Sequence, residues 1–246
     1  LLRYVAHARP DVLVTLGDLP WIAYGADPPV RSGLDRAGTA WLAYFPVDGT
    51  RPDGTLPADW RAILGQADRP VAMSRFGAAA TERSGLRAAV IPHGCDTALF
   101  RPPADKDAAK RHLGCEGRFV ILSDARNHRR KLLPRLLDIV RSFAAGKDDV
   151  ALLLHTNHLP SEDPDAYAYD VRADLAVSGL APLVRFSAPS GPDGLPMADV
   201  AALYAAADVH LLASWGEGFG LPTLQAAAAG AVPVAGRHSA HTELLA

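Results

Sequence analysis

Short runs of apolar and β-branched residues recur along the chain. They are separated by segments in which apolar positions return every three or four residues. The runs Asp11–Leu16, Ala40–Phe45, Pro70–Ser74, Ala88–Pro92, Phe119–Ser123, Val150–His155, Leu183–Phe186, Asp208–Leu212 and Val232–Ala235 predict nine strands. The helical pattern falls on Asp59–Gln66, Phe76–Ser84, Leu132–Phe143, Ala166–Ser178, Met197–Ala207, Leu221–Ala229 and His241–Leu245. In Leu132–Phe143 the residues Leu133, Leu136, Leu137 and Val140 form one apolar stripe. Strand, helix and strand in repeated order predict an α/β chain with parallel sheets and helices on both faces.

The pattern breaks in three places. Arg101-Pro102-Pro103-Ala104-Asp105-Lys106-Asp107 combines two prolines with alternating charges and reads as a linker. Residues 1–104 then form a first domain and 105–246 a second. Val30–Pro57 is rich in Gly, Pro, Asp and Thr and is expected to hold long loops, as is Ser187–Pro196. The chain opens and closes inside helical patterns, so a fragment truncated at both ends is expected.

Composition narrows the function. The 246 residues carry 25 basic and 27 acidic side chains, a net charge of −2, with 49% hydrophobic residues. That apolar content excludes a disordered chain, and the charge balance does not suit a basic nucleic-acid binder. No run of 18 apolar residues predicts a membrane span, and the first residues show no signal-peptide pattern. Cys95 and Cys115 make neither a disulfide framework nor a metal spacing, so a reducing cytosol is expected. Lysine is scarce: only Lys106, Lys110, Lys131 and Lys147 occur.

Two segments carry candidate chemistry. Ser214-Trp215-Gly216-Glu217-Gly218-Phe219-Gly220-Leu221-Pro222 lies between a strand and an Ala-rich helix. Its glycines allow a sharp turn and a close backbone approach, Pro222 suits a first helical turn, and free amides there suit phosphate or sugar oxygens. Glu217 falls at the carboxyl end of a parallel strand. Arg126-Asn127-His128-Arg129-Arg130-Lys131 follows another strand. So many cations at a helix N-terminus oppose the macrodipole unless an anion sits among them. Taken singly, the first is also readable as a glycine-rich turn and the second as a solvated basic turn. Together they fit a sugar nucleotide, with cations for the diphosphate and Glu217 for sugar hydroxyls.

The residues from Glu217 to Pro222 resemble the signature of the retaining GT-B glycosyltransferases of the large family-four group (glycosyl transferases group 1). The likeness extends to Ile91-Pro92-His93-Gly94-Cys95-Asp96, the Arg126/Lys131 pair, and Leu203 to Asp208. It also takes in Gly230-Ala231-Val232-Pro233-Val234, Glu243-Leu244, Tyr44 to Gly49 and Ser74 to Gly77. The resemblance implies two Rossmann-like domains facing across a cleft, both incomplete here. It implies transfer of a hexose from a UDP- or GDP-sugar to an unidentified hydroxyl acceptor (a glycan, lipid or small molecule), with retention of anomeric configuration.

By the same resemblance, Glu217 binds hydroxyls of the transferred sugar, and Arg126 and Lys131 neutralise the departing diphosphate. Gly218, Phe219, Gly220 and Leu221 bind the donor, the last three through their amides. No metal or other cofactor is then needed, and no nucleic-acid partner is implied. One departure stands out: Gln225 occupies the place of the family's second Glu, whose carboxylate accepts from ribose hydroxyls. An amide offers one acceptor oxygen and no charge, so weaker nucleotide binding is expected. His93, His155 and Asp48 are lesser candidates, each also readable as an ordinary turn, core or loop residue. A cytoplasmic protein is expected. Peripheral attachment at the inner membrane surface is left open, although no basic amphipathic helix stands out. A sugar-nucleotide epimerase on the same fold and a non-catalytic nucleotide-sugar-binding subunit remain as alternatives.

Overall fold

A computed structural model describes residues 1–158, 168–187 and 194–245. The chain divides into two compact units. The first comprises Leu1–His93, Gly216–Gly220 and His238–Ala246; the second comprises Gly94–Trp215 and Leu221–Arg237. Each contains one wholly parallel sheet with flanking helices, the Rossmann-like arrangement.

In the first unit the elements run α1 (Leu2–Ala8), β1 (Val12–Leu16), α2 (Leu19–Ile22), α3 (Pro28–Ala37), β2 (Ala40–Phe45), α4 (Ala58–Leu64), β3 (Arg69–Ala72), α5 (Arg75–Arg83) and β4 (Ala89–Val90). The sheet order is β1-β2-β3-β4. Each crossover therefore steps in the same direction, and a constant right hand puts every connecting helix on the same face. Trp41, Ala43 and Phe45 point into that side and pack with Val5, Leu19, Ile22, Leu34, Leu64 and Ala80. The buried Trp41 indole donates to Thr15 Oγ1 at 3.0 Å. On the other face Val12, Val14 and Leu16 are 49%, 58% and 63% exposed. Among the described residues, then, helices cover one face of this sheet.

The second unit runs α6 (Lys106–His112), β5 (Phe119–Asp124), α7 (Leu133–Ala144), β6 (Val150–His155), α8 (Val171–Ser178), β7 (Val184–Phe186), α9 (Met197–Ala206), β8 (Val209–Leu212), α10 (Leu221–Ala228) and β9 (Val232–Ala235). Its order is β7-β6-β5-β8-β9. From β5 the chain steps one way to β6 and β7, then returns to add β8 and β9 on the other side, so helices cover both faces. Ile121, Val150, Leu152 and Leu154 pack with α7 and α8. Val120, Leu122, Ala151 and Leu153 pack with α9 and α10. The α7 stripe is buried as predicted, through Leu133, Leu136, Leu137 and Val140. A last helix, α11 (His241–Leu244), belongs to the first unit. No helix among the described residues is long and apolar enough to cross a membrane.

Three other expectations are corrected. The linker Arg101–Asp107 contains the start of α6. Asp105 accepts from the Ala108 amide at 2.9 Å and caps the helix, while Lys106 and Lys110 pair with Asp208 at 3.1 and 2.7 Å. The loop expected over Val30–Pro57 includes most of α3, whose prolines occupy its first positions and whose end is set by Gly38 at φ 70°. The helix expected from Ala166 starts at Val171, where Asp170 accepts from the Ala173 amide. Residues 166–167, and 188–193 of the loop Ser187–Pro196, lie outside the described residues.

Candidate functional site

Strand order locates the candidate edge of the second unit. Chains leaving β5 and β8 depart toward opposite faces, and ligands of open α/β sheets bind at the carboxyl edge where this reversal occurs. The segment after β5 is the basic turn. Arg126 is exposed, while His128, Arg130 and Lys131 are half-buried. Arg129–Lys131 form a short 3-10 turn, with the Arg130 amide donating to His128 Nδ1 at 3.2 Å. Leu132 then takes a left-handed conformation (φ 49°) before α7 begins with Leu133 and Pro134. The cations therefore sit in a separate turn ahead of α7 rather than in its first turn, as had been expected.

The segment after β8 meets this turn, with the Trp215 amide donating to the Arg130 carbonyl at 3.1 Å. Within the second unit, then, the opening of the β8 segment, at Trp215, joins the basic turn at the reversal point. Around the same edge, Ser123 Oγ at the end of β5, Thr156 Oγ1 just past β6 and Ser214 Oγ just past β8 are buried without a partner among the described residues. A buried unsatisfied hydroxyl costs about 1–3 kcal/mol, so three on adjacent strands mark an edge that a polar ligand or solvent completes.

His155 closes β6, with its Nδ1 lying 2.8 Å from Ser187 Oγ. Opposite it in register is Asp124, whose carboxyl is pushed above the usual range by burial. It accepts from Tyr204 Oη at 2.8 Å, and burial likewise pushes the Tyr204 phenol up. Gln225 is half-buried on α10, and Leu221 opens that helix. No group of three His, Cys, Asp or Glu among the described residues could hold a metal ion.

The glycine-rich segment itself packs within the first unit. A Cβ on Gly216 would meet the Asp48 carbonyl oxygen at 1.9 Å, and one on Gly218 would meet Pro46 Cβ at 2.2 Å. These glycines bring the backbone against the loop after β2. Glu217 lies between them and is buried; its amide donates to Ser239 Oγ at 2.8 Å, and its carbonyl accepts from Ala240 at 3.3 Å. Phe219 packs edge-on to His93 at 5.2 Å, and His93 packs edge-on to Tyr44 at 5.3 Å. His93 Nδ1 lies 3.2 Å from Tyr44 Oη and its Nε2 lies 3.1 Å from Met73 Sδ. Burial lowers the His93 pKa and favours the neutral ring.

The first unit therefore brings together Asp48, His93, Glu217, Gly218 and Phe219, while Arg126, Lys131, His155, Leu221 and Gln225 belong to the second. Sequence reasoning missed the role of Glu243. Its carboxylate accepts from the Arg75 and Phe76 amides at 3.0 and 3.3 Å, capping α5 beside Ser74. Nothing in the spacing of Ser74 to Gly77 and Glu243 links residues so far apart in the chain.

Similarities to known proteins fit this layout. The solved structure of HepE from Anabaena with UDP-glucose is 22% identical, with a TM-score of 0.76; the match covers 98% of this chain and 64% of that one. Sucrose-phosphate synthase from Thermosynechococcus elongatus is 20% identical, with a TM-score of 0.79, over 99% of this chain and 60% of that one. At these identities the likeness establishes the fold, the GT-B pair of Rossmann-like units. D-inositol 3-phosphate glycosyltransferase of Corynebacterium kroppenstedtii is 30% identical over 155 residues, which is 60% of this chain and 32% of that protein. The match thus spans about a third of that curated relative. The profile of one family, described as glycosyl transferases group 1, matches residues 118–246. That match takes in just over half of the chain, including the basic turn, the β8 segment and α10, and the protein belongs to the glycosyl transferases group 1 family.

Proposed function

We propose that the protein is a glycosyltransferase that moves a hexose from a nucleoside-diphosphate sugar to a hydroxyl acceptor with retention of configuration. The observation that carries this is the junction of the basic turn with the β8 segment, where the Trp215 amide meets the Arg130 carbonyl at the sheet's reversal point. Unsatisfied hydroxyls of Ser123, Thr156 and Ser214 line the same edge. A diphosphate suits that edge through charge-assisted hydrogen bonds. The Anabaena relative was solved with UDP-glucose, which makes a UDP-sugar the first donor to test, ahead of a GDP-sugar.

In this reading Arg126 and Lys131 stabilise the diphosphate as the anomeric C–O bond breaks, where negative charge develops on the leaving group. Glu217 orients the transferred sugar through its hydroxyls. The amides of Phe219, Gly220 and Leu221, with Gly218, hold donor oxygens. The protein acts in the cytoplasm, and the acceptor is a hydroxyl of a glycan, lipid or small molecule.

The test is made on the intact protein with UDP, GDP and ADP, followed by turnover of the matching sugar nucleotide. Glu217→Ala should lower transfer about 10³-fold while changing affinity for the free nucleoside diphosphate less than about 3-fold. Arg126→Gln should weaken that affinity by about tenfold or more. Failure of all three nucleotides to bind, or full transfer by Glu217→Ala, overturns the reading. Free epimer without transferred sugar identifies an epimerase instead.

A further inference from the structure

Between residues 126 and 131 every side chain but one is basic: Arg126, His128, Arg129, Arg130 and Lys131 surround Asn127. Cations carried on so short a turn serve one anion only if the backbone holds them at a fixed spacing. A preformed site therefore needs a neutral tie that holds the turn before the anion arrives. Asn127 is fully buried, in contrast to its exposed neighbour Arg126.

The bonds of Asn127 all run to backbone groups elsewhere in the second unit. Its Nδ2 donates to the carbonyls of Asn157 at 3.0 Å and Tyr169 at 2.8 Å, and its Oδ1 accepts from the Tyr169 amide at 3.1 Å. Its own carbonyl accepts from the Ala168 amide at 3.2 Å. The side-chain amide thus pairs with Tyr169 as a second peptide group would, using both donors and one acceptor. Tyr169 returns the contact, since its Oη donates to the Arg129 carbonyl at 2.8 Å.

We propose that Asn127 is a positioning residue, holding Arg126 and Lys131 at a fixed spacing for the donor diphosphate, with the Tyr169 hydroxyl as a second tie. The proposal rests on the donor reading above. The amide is specifically required. Aspartate keeps the shape but turns an oxygen toward the Asn157 and Tyr169 carbonyls. Alanine leaves the two carbonyls and the Tyr169 amide without these partners. Preorganised charges bind an anion without first having to be gathered, so loosening the turn weakens binding even though every cation remains.

The experiment compares the intact wild-type protein with Asn127→Ala, Asn127→Asp and Tyr169→Phe. UDP is titrated well below each melting temperature, and hydrogen exchange is followed at the amides of residues 126–132. We expect faster exchange in the turn and UDP affinity about 10- to 30-fold weaker for both Asn127 variants, and about 3-fold weaker for Tyr169→Phe. A merely structural role lowers the melting temperature but leaves the low-temperature UDP affinity unchanged. That outcome, or unchanged exchange in the turn, overturns the proposal. If the Asn127 variants do not fold, Tyr169→Phe decides by the same two readouts. If the wild type binds none of UDP, GDP and ADP, the donor reading itself has failed and this proposal falls with it. If the wild type binds and the variants bind equally well, only this proposal fails.

Discussion

In the first unit each strand is laid down beside the one before it, whereas in the second the order turns back at β5. Among the described residues, Val12, Val14 and Leu16 of β1 are exposed on a parallel sheet, a class normally covered on both sides. The reversal gives the second sheet two cores and, at its turning point, the edge where the basic turn and the β8 segment meet. The described residues thus place an exposed apolar face on one sheet and a junction of two polar segments at the edge of the other.

The sharpest test of this contrast deletes matched side chains from the two sheets. Leu152 of β6 is fully buried, and Leu152→Ala should cost about 2–5 kcal/mol through lost burial and the cavity left behind. Val14 of β1 is exposed, and Val14→Ala should change stability by less than about 0.5 kcal/mol. Chemical denaturation of the intact protein measures both. A large loss for Val14→Ala would mean that the open face is covered in solution.

Next in size is the loop that packs on the first unit. Gly216→Ala places a methyl group against the Asp48 carbonyl, where backbone must move. Overpacking of this kind costs about 1–3 kcal/mol, and the melting temperature should fall accordingly. An unchanged melting temperature would show that the loop leaves Asp48 without strain. In the second unit, Gln225→Glu restores a charged acceptor on α10 and should tighten UDP binding several-fold, by about 1 kcal/mol. Equal or weaker binding by calorimetry would remove Gln225 from the donor's contacts.

Much of this layout is legible in the residues. Each of the nine strands appears within two residues of its predicted bounds, because parallel strands are short apolar or β-branched runs set between turn residues. The α7 stripe was plain for a similar reason. By contrast, α3 and α6 carry their signal in prolines and aspartates that serve equally as loop formers or helix starters, and only the capping geometry decides. The two chemical segments were visible from composition. Their junction was not, because it is made by the Trp215 amide and the Arg130 carbonyl, groups that every residue has. The ties made by Asn127 and the α5 cap made by Glu243 were hidden for the same reason. The glycines did signal close approach, but the neighbours of Gly216 and Gly218 proved to be Asp48 and Pro46.

The smallest effect separates the two units by the sign of their response to acid. Burial lowers the His93 pKa from 6.5, so below that pH the unfolded chain takes up a proton that the folded one resists. The stability tied to the neutral ring is complete above pH 6.5 and is lost as pH falls through 6.5 toward the folded value. Burial raises the Asp124 pKa from 3.8, so the folded state takes up its proton first. Its contribution is present below pH 3.8 and is lost as pH rises through the raised folded value, the opposite direction. Acidification should therefore weaken protection around Phe45 in the first unit and relieve a cost around Leu154 in the second. Hydrogen exchange across a pH series from 7 to below 4, corrected for intrinsic rates, reads both regions in one experiment. His93→Gln should flatten the first response and leave the second, and Asp124→Asn should do the reverse. If either substitution flattens both, the two sheets do not respond as separate units, and the contrast drawn from their strand orders does not extend to their energetics.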